Sequence, residues 1–310
     1  MTELAKSQGP GAATAEPAPA AATGTAEPAP ARITQWGEIR HRFVANRLAV
    51  VGLVLVLLLF LTAALAPLIA THDPYAQDLT NTLKSPSGDH WFGTDALGRD
   101  QFSRVIYGSR IAVVVGLASI FLACLIGLVL GALAGYFGKT VDTVIMRIAD
   151  IFFAFPLLIG AIVIILVMGR GVMPVILSLA IFSWATVSRL LRSSILSVRE
   201  MDYVTAAKAL GASTSRIIVR HIMPNSIAAV MSFVAFSVGT AIVAEASLSY
   251  LGVGVSPEVP EWGNMISAAK DNMGVNDFLW VYPSIAIVLT VLGFVFVGDG
   301  LRDALDPKLR

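Results

Sequence analysis

The segment DYVTAAKALGASTSRIIVRHIMPN, residues 202–225, is polar and basic, yet it lies between strongly apolar stretches of the chain. It reads as two short helices. Glu200 and Asp202 put negative charge at the start of the first, where the helix dipole favours it, and Tyr203, Val204, Ala206, Ala207 and Leu210 supply an apolar stripe. Gly211 is a left-handed helix stop, and Ser213 caps a second helix with Ile217, Ile218 and Ile222 on one side. Arg216 and Arg220 share a face, and Pro224 closes the unit and starts the next apolar segment. Two helices this short are marginal alone in water. They need a surface, either a partner's groove or the underside of their own bundle, and the residue types leave both open.

Outward from this unit, the composition is that of a polytopic membrane protein. Apolar residues make up 56% of the 310 and charged residues only 14%, where a soluble chain carries roughly a quarter charged. Six segments are long enough to span: 48–70, 111–137, 151–168, 172–188, 227–244 and 279–298. The first is too long for a signal-peptide core and reads as a retained helix. Pro156 and Pro283 interrupt or open helices, and Gly169-Arg170-Gly171 must form a tight hairpin. The single cysteine, Cys124, excludes a disulfide framework. The four histidines, His41, His72, His90 and His221, show no metal-ligand spacing, so no metal site is expected.

Lys and Arg counts orient the spans. With the N-terminus inside, the cytoplasmic segments from residue 32 onward hold fifteen: Arg32, Arg40, Arg42, Arg47, Lys139, Arg147, Arg189, Arg192, Arg199, Lys208, Arg216, Arg220, Arg302, Lys308 and Arg310. The external segments hold six: Lys84, Arg99, Arg104, Arg110, Arg170 and Lys270. Both termini, and the 189–226 loop, are therefore expected in the cytoplasm of a multi-pass cytoplasmic-membrane protein.

The expected organisation is a disordered cytoplasmic tail at 1–31, an amphipathic interfacial helix at 32–47 and the first span at 48–70. An external segment at 71–110, a core at 111–298 and a cytoplasmic tail at 299–310 follow. Within 71–110, the charges Asp95, Arg99, Asp100, Arg104 and Arg110 suit a short helix on the outer surface, there to meet another protein or to brace the first span. Arg147 and Asp150, three apart, can pair as a structural or gating couple. Glu245, at the outer end of the fifth span, is read as a helix-end or external-loop contact rather than part of a proton relay. Asp299, Arg302, Asp303, Asp306 and Arg310 are expected to form a cytoplasmic ion-pair cluster. Gly160, Gly169, Ser178, Ser183, Ser237, Gly239 and Thr240 are small residues of the spans, suited to close packing and compatible with a passage. Gly138-Lys139-Thr140 is not a phosphate loop, because Leu133 stands where the motif needs its first glycine and no strand precedes it.

The spacing from Ala206-Ala207 through Gly211 to Pro224 resembles the coupling loop of ABC importer permeases, a Glu-Ala-Ala motif with Gly four and Pro a further thirteen residues on. Thr205 replaces the motif's Glu. The form His221-Ile222-Met223-Pro224-Asn225 is similar to the dipeptide/oligopeptide/nickel branch, with Met223 in place of Leu. FGTDALGRDQFSRVIYGSR (92–110), GYFGKTVDTVIMRIADIFFAFP (135–156), EASLSYLGVG (245–254) and GDGLRDALDPKLR (298–310) resemble that branch too, and NRLAVVGL (46–53) is similar to its C-type subunit. The resemblance implies an all-α fold of six transmembrane helices, the MetI-like fold of binding-protein-dependent ABC permeases. It implies that the 202–225 unit, with Asp202, Tyr203, Ala206, Ala207, Gly211, Arg216, Arg220 and Pro224, meets the ATPases. It further implies a B-type permease as heterodimer partner, two cytoplasmic ATPase subunits or domains, an external solute-binding protein and surrounding lipid; Asp95, Arg99 and Asp100 are the candidate contact for the binding protein, with bracing of the first span as the other role. ATP and Mg2+ would then sit on the partner subunits, with no catalytic residue, cofactor or nucleic acid on this chain. Di- and oligopeptides are the implied cargo, with nickel, glutathione or haem as alternatives. An ion-gradient-driven secondary transporter is the rival of another class, and it would want paired acids or broken helices at mid-depth.

Overall fold

The computed structural model describes residues 35–305; the 1–31 tail, Asp306, Lys308 and Arg310 lie outside the described residues. Among these the chain is helical, with one isolated bridge between Thr94 and Asp100 and no longer strand. In chain order the helices are α1 (Gln35–Ala45), α2 (Arg47–Ala64), α3 (Ala66–Ile69), α4 (Gln101–Phe137), α5 (Lys139–Ala154) and α6 (Leu157–Met168). They continue with α7 (Val172–Val198), α8 (Asp202–Ala209), α9 (Thr214–Ile217), α10 (Met223–Tyr250), α11 (Trp262–Ala269) and α12 (Phe278–Leu305). Five, namely α2, α4, α7, α10 and α12, are long and apolar enough to cross a membrane, and the pair α5–α6 supplies a sixth crossing if counted as one. The expected all-α membrane fold is the one found.

Several boundaries differ from the sequence expectation. The second crossing begins at Gln101, inside the stretch expected to be an external segment, because Asp100 caps it by accepting the Ser103 N–H at 2.8 Å. At 37 residues α4 is about 55 Å long, well beyond a hydrocarbon core of about 30 Å. The third crossing is not one helix: α5 and α6 meet at 90° across Phe155-Pro156, where the proline removes a backbone donor. The last helix continues to Leu305, so 299–305 is not a tail. Among the described residues, Asp299, Arg302 and Asp303 join no ion pair; Asp303 instead accepts from the Asn46 amide at 3.3 Å, tying α12 to the start of α2.

The helices alternate in direction, so the chain has one end carrying 138–139 and 199–213 and another carrying 65–100 and 251–277. Helices α4 and α7 run the same way and pack most extensively of all pairs. Gly127, Gly131 and Gly135 recur every four residues along one stripe of α4, where any larger residue would collide with α7. A Cβ would stand 2.6 Å from Val187 Cβ at the first, 2.7 Å from the Ser188 carbonyl at the second and 2.9 Å from Ile195 Cβ at the third. In lipid no hydrophobic force drives helices together, so such close backbone approach is the main source of association.

The 65–100 end is packed rather than open. Trp262 donates from its indole to the Val105 carbonyl at 2.9 Å and covers Gly108, and Phe92 stacks on Tyr282 at 3.9 Å. Glu261 caps α11, accepting the N–H groups of Gly263 and Asn264, and burial raises its carboxyl above the usual range against the opposing pull of those bonds. Glu245 is buried on α10 and accepts the Ser249 hydroxyl at 3.1 Å, whose oxygen in turn takes the Val255 N–H. That joins the helix end to the following turn. Replacing Gly131 with Leu is expected to cost about 1–3 kcal/mol by forcing α4 off α7, whereas Gly88→Ala, at a site with nothing within 4 Å, should be neutral. Thermal unfolding of the two variants in detergent checks this.

Candidate functional site

The 202–225 unit forms two helical pieces divided by a sharp turn. Asp202–Ala209 is α8, with Asp202 in its first turn and Lys208 in its last, both complementing the helix dipole. It stops in a complete Schellman arrangement: Gly211 N–H donates to the Lys208 carbonyl at 3.0 Å and Ala212 N–H to the Ala207 carbonyl at 3.1 Å. Gly211 takes φ +78°, a conformation that L side chains rarely adopt, with open space around it. Ser213 then caps α9, its hydroxyl accepting the Arg216 N–H at 3.4 Å.

The second piece departs from expectation in one respect. Pro224 does not close the unit. The chain passes from α9 through a π turn at Ile218–Ile222 directly into α10, where Pro224 sits in the first turn. The wider turn, with Met223 N–H reaching back to the Ile218 carbonyl, accommodates a residue that has no N–H of its own. Asn225 adds a bond from its amide to the His221 carbonyl at 2.7 Å.

The unit has two faces with opposite fates. Val204, Ile217 and Ile222 are buried, and they join Val187, Leu191, Ile195, Val198 and Val230 in one apolar cluster beneath α7 and α10. Tyr203 (44% exposed), Leu210 (88%) and Val219 (68%) face outward with the exposed Ala206, Arg216 and Arg220. The apolar stripe read from the sequence is therefore split: only Val204 of its five members is buried. One face thus packs beneath the bundle and the other is left exposed.

Polar ties hold the support in place. Arg199 donates to the Gly135 carbonyl at 3.0 Å, fixing the end of α7 to that of α4. Arg192 of α7 grips Asp142 of α5 with two nitrogens. The expected Arg147–Asp150 couple is not formed. Asp150 pairs with Arg189 of α7 at 2.6 Å, and the Arg189 guanidinium lies 4.2 Å from the Phe153 ring, while Arg147 joins no ion pair among the described residues. Spacing along one helix showed only that the two could meet, whereas α7 offers Asp150 a cation held over an aromatic ring.

Asp95, Arg99 and Asp100 form no exposed surface helix. Asp95 and Arg99 are each 8% exposed and pair at 2.7 Å, Arg104 is 1% exposed and donates to the Pro74 carbonyl at 2.9 Å, and Asp100 is the buried cap of α4. Of the two roles weighed for these charges, bracing is the one their burial fits. Gly138 joins α4 to α5 with φ +63° and no strand precedes it, so its neighbourhood has no phosphate-loop geometry. Of the small residues in the spans, Ser183, Ser237 and Thr240 line one cavity of about 180 Å3 between α4, α6, α7 and α10. Gly160 lies under the Phe182 ring, Gly239 against α12, and Ser178 bonds its own helix.

Residues 127–310 match the family of binding-protein-dependent transport system inner membrane components, and residues 34–86 match the N-terminal transmembrane domain of oligopeptide transport permease C. The chain is 40% identical over 295 residues to the oligopeptide transport system permease protein OppC of Bacillus subtilis, covering 95% of this chain and 97% of that one. It is 40% identical to the dipeptide transport system permease protein DppC of Alkalihalophilus pseudofirmus, covering 90% and 91%. It is 41% identical to the glutathione transport system permease protein GsiD of Pectobacterium atrosepticum, covering 89% and 92%. Among solved structures, the MetNI methionine ABC transporter in inward-facing conformations gives a TM-score of 0.55 at 18% identity, over 66% of this chain and 96% of that one. An introduced charge separates the two faces of the unit: Val204→Asp should cost about 3 kcal/mol or more by burying an unpaired carboxylate, and Leu210→Asp should leave the unfolding midpoint unchanged. Parallel melts in detergent measure both.

Proposed function

We propose, because this chain belongs to the family of binding-protein-dependent transport system inner membrane components, that it is the C-type permease subunit of an ATP-driven importer of short peptides. The observation that carries the reading is the two-faced unit at 202–225, locked inward by Val204, Ile217 and Ile222 and outward-facing through Tyr203, Leu210 and Val219. A cytoplasmic ATPase surface gripping the outward face moves α7 and α10 through the inward one. Contacts that differ between the open and closed ATPase dimer supply the free energy that shifts this chain between its states. Asp202, Tyr203, Ala206, Ala207, Gly211, Arg216, Arg220 and Pro224 are the residues assigned to that contact. With Thr205 in place of the motif's acid, the contact relies on Asp202 for negative charge on α8.

In this reading ATP and Mg2+ belong to two partner ATPase subunits or domains, and a B-type permease forms the other half of the passage. An external solute-binding protein delivers the cargo. The excess of Lys and Arg in the 189–226 loop and near both ends of the chain supports a cytoplasmic position for them. Peptide cargo rests on the names of the oligopeptide and dipeptide relatives. A glutathione permease at comparable identity favours glutathione, itself a small peptide, as the second reading. Mass spectrometry of the ligand retained by the binding protein in the co-purified complex decides between them.

The coupling assignment has its own test. Gly211→Val forces a β-branched residue to φ +78°, a strain of about 1–2 kcal/mol placed at the turn alone. Peptide uptake by the intact complex in proteoliposomes is expected to fall at least tenfold while membrane insertion and partner assembly persist. Undiminished uptake would sink the coupling role, and gradient-driven transport by the lone chain would revive the secondary-transporter rival.

A further inference from the structure

At the end of the bundle away from the 202–225 unit, three side chains that are scattered in the sequence converge. His72 follows α3, His90 lies in the turn that begins at Ser87, and Asp100 caps α4. Asp100 is buried, and its Oδ2 accepts the Ser103 N–H at 2.8 Å and faces the Thr71 hydroxyl at 3.4 Å. Its Oδ1 faces two imidazoles at once, with His90 Nδ1 at 2.8 Å and His72 Nδ1 at 3.7 Å. The two rings lie 4.7 Å apart at 31°, and one donor atom from each of the three residues falls within 4.8 Å of the others.

One neutral imidazole N–H would satisfy Asp100 Oδ1, and His90 alone supplies it. A second imidazole stacks beside the first, its Nδ1 3.0 Å from the Thr71 hydroxyl and 3.7 Å from that same oxygen, and so goes beyond what that bond requires. If both rings were protonated they would repel each other, whereas a divalent cation uses both lone pairs and the carboxylate together. First-row metal bonds of about 2.0–2.2 Å set neighbouring ligand atoms about 3.3–3.6 Å apart in a tetrahedron; the two separations from Asp100 Oδ1, 2.8 and 3.7 Å, bracket that range, and the three ligand atoms all lie within 4.8 Å of one another. Two imidazoles and one carboxylate suit zinc and its close analogues rather than Mg2+ or Ca2+, which prefer all-oxygen shells. The His72 side chain is 42% exposed, so water reaches the fourth position. The Ser103 N–H and Thr71 hydroxyl on Oδ2 supply the outer partners that orient a ligating carboxylate.

We propose that His72, His90 and Asp100 form a structural site for a divalent transition metal of the zinc class. The ion staples the segment after α3 to the turn before Asp100 and to the first residue of α4. It reinforces an existing strap, in which the His72 N–H donates to the Ser103 hydroxyl at 3.0 Å. Histidine spacing alone does not reveal this group, because its members come from three places that only the fold brings together.

The test uses the tag-free chain in its intact complex in detergent, stripped with chelator and titrated with Co2+. One Co2+ per chain should bind with a visible absorption band that Zn2+ then abolishes, and Zn2+ should raise the melting temperature of the stripped protein. His72→Ala, at a half-exposed position, should weaken Co2+ binding at least tenfold with the metal-free melt unchanged. The double variant His41→Ala with His221→Ala should keep the band. Absence of a saturable band and of a Zn2+-dependent melting shift in the unaltered complex overturns the proposal, as does unchanged Co2+ affinity in His72→Ala.

Discussion

The contact between α4 and α7 through Gly127, Gly131 and Gly135 is the constraint on which the rest of the molecule depends. Each glycine lets the α7 surface approach to a distance that a single methyl group would forbid. Because the stripe runs in step along two helices of the same direction, it fixes both their separation and their axial register. That register sets Arg199 opposite the Gly135 carbonyl and Arg192 opposite Asp142. The end of α7 is thereby a fixed platform, and the unit at 202–225 is built on it.

What rises from that platform is the long element from Thr214 to Tyr250. A break at Pro224 would have left the short α9 free to swing independently of α10. The π turn keeps them continuous, so a displacement at Ser213 reaches the helix that lines the cavity with Ser237 and Thr240 and ends beside Glu245. In the proposed cycle this is the transmitting part. Among the described residues, the cavity beside it is lined by hydroxyl, aromatic and aliphatic groups.

Much of this could be read from the residues, and the failures have a common cause. Gly211, Ser213, Val204, Ile217 and Ile222 have roles legible in the sequence, because turns, caps and helical faces are decided within a few positions. The spans were found because length and apolarity are local too. Partners distant in sequence were not. Asp150 could be matched to Arg147 by spacing, but Arg189 is 39 residues away. Asp95, Arg99 and Asp100 looked like surface charges because nothing in their order reveals that the 65–100 end closes over them. The interruption at Phe155-Pro156 is legible from the proline, but its 90° angle is not.

The two ends of the bundle treat charge in opposite ways, and this bears on how such a protein could move. At the 65–100 end, Asp95, Arg99, Asp100, Arg104 and Glu261 are buried and bonded to backbone or to each other. Removing one partner there leaves a charge stranded away from water, which makes the arrangement costly to open piecemeal. At the other end the Arg192–Asp142 pair is part-buried, but the Arg189–Asp150 pair is about half exposed and Arg216 and Arg220 face outward. Water can take over either partner of an exposed pair at small cost. Rearrangement is therefore cheapest around the 202–225 unit, while the far end is better suited to shift as a single body.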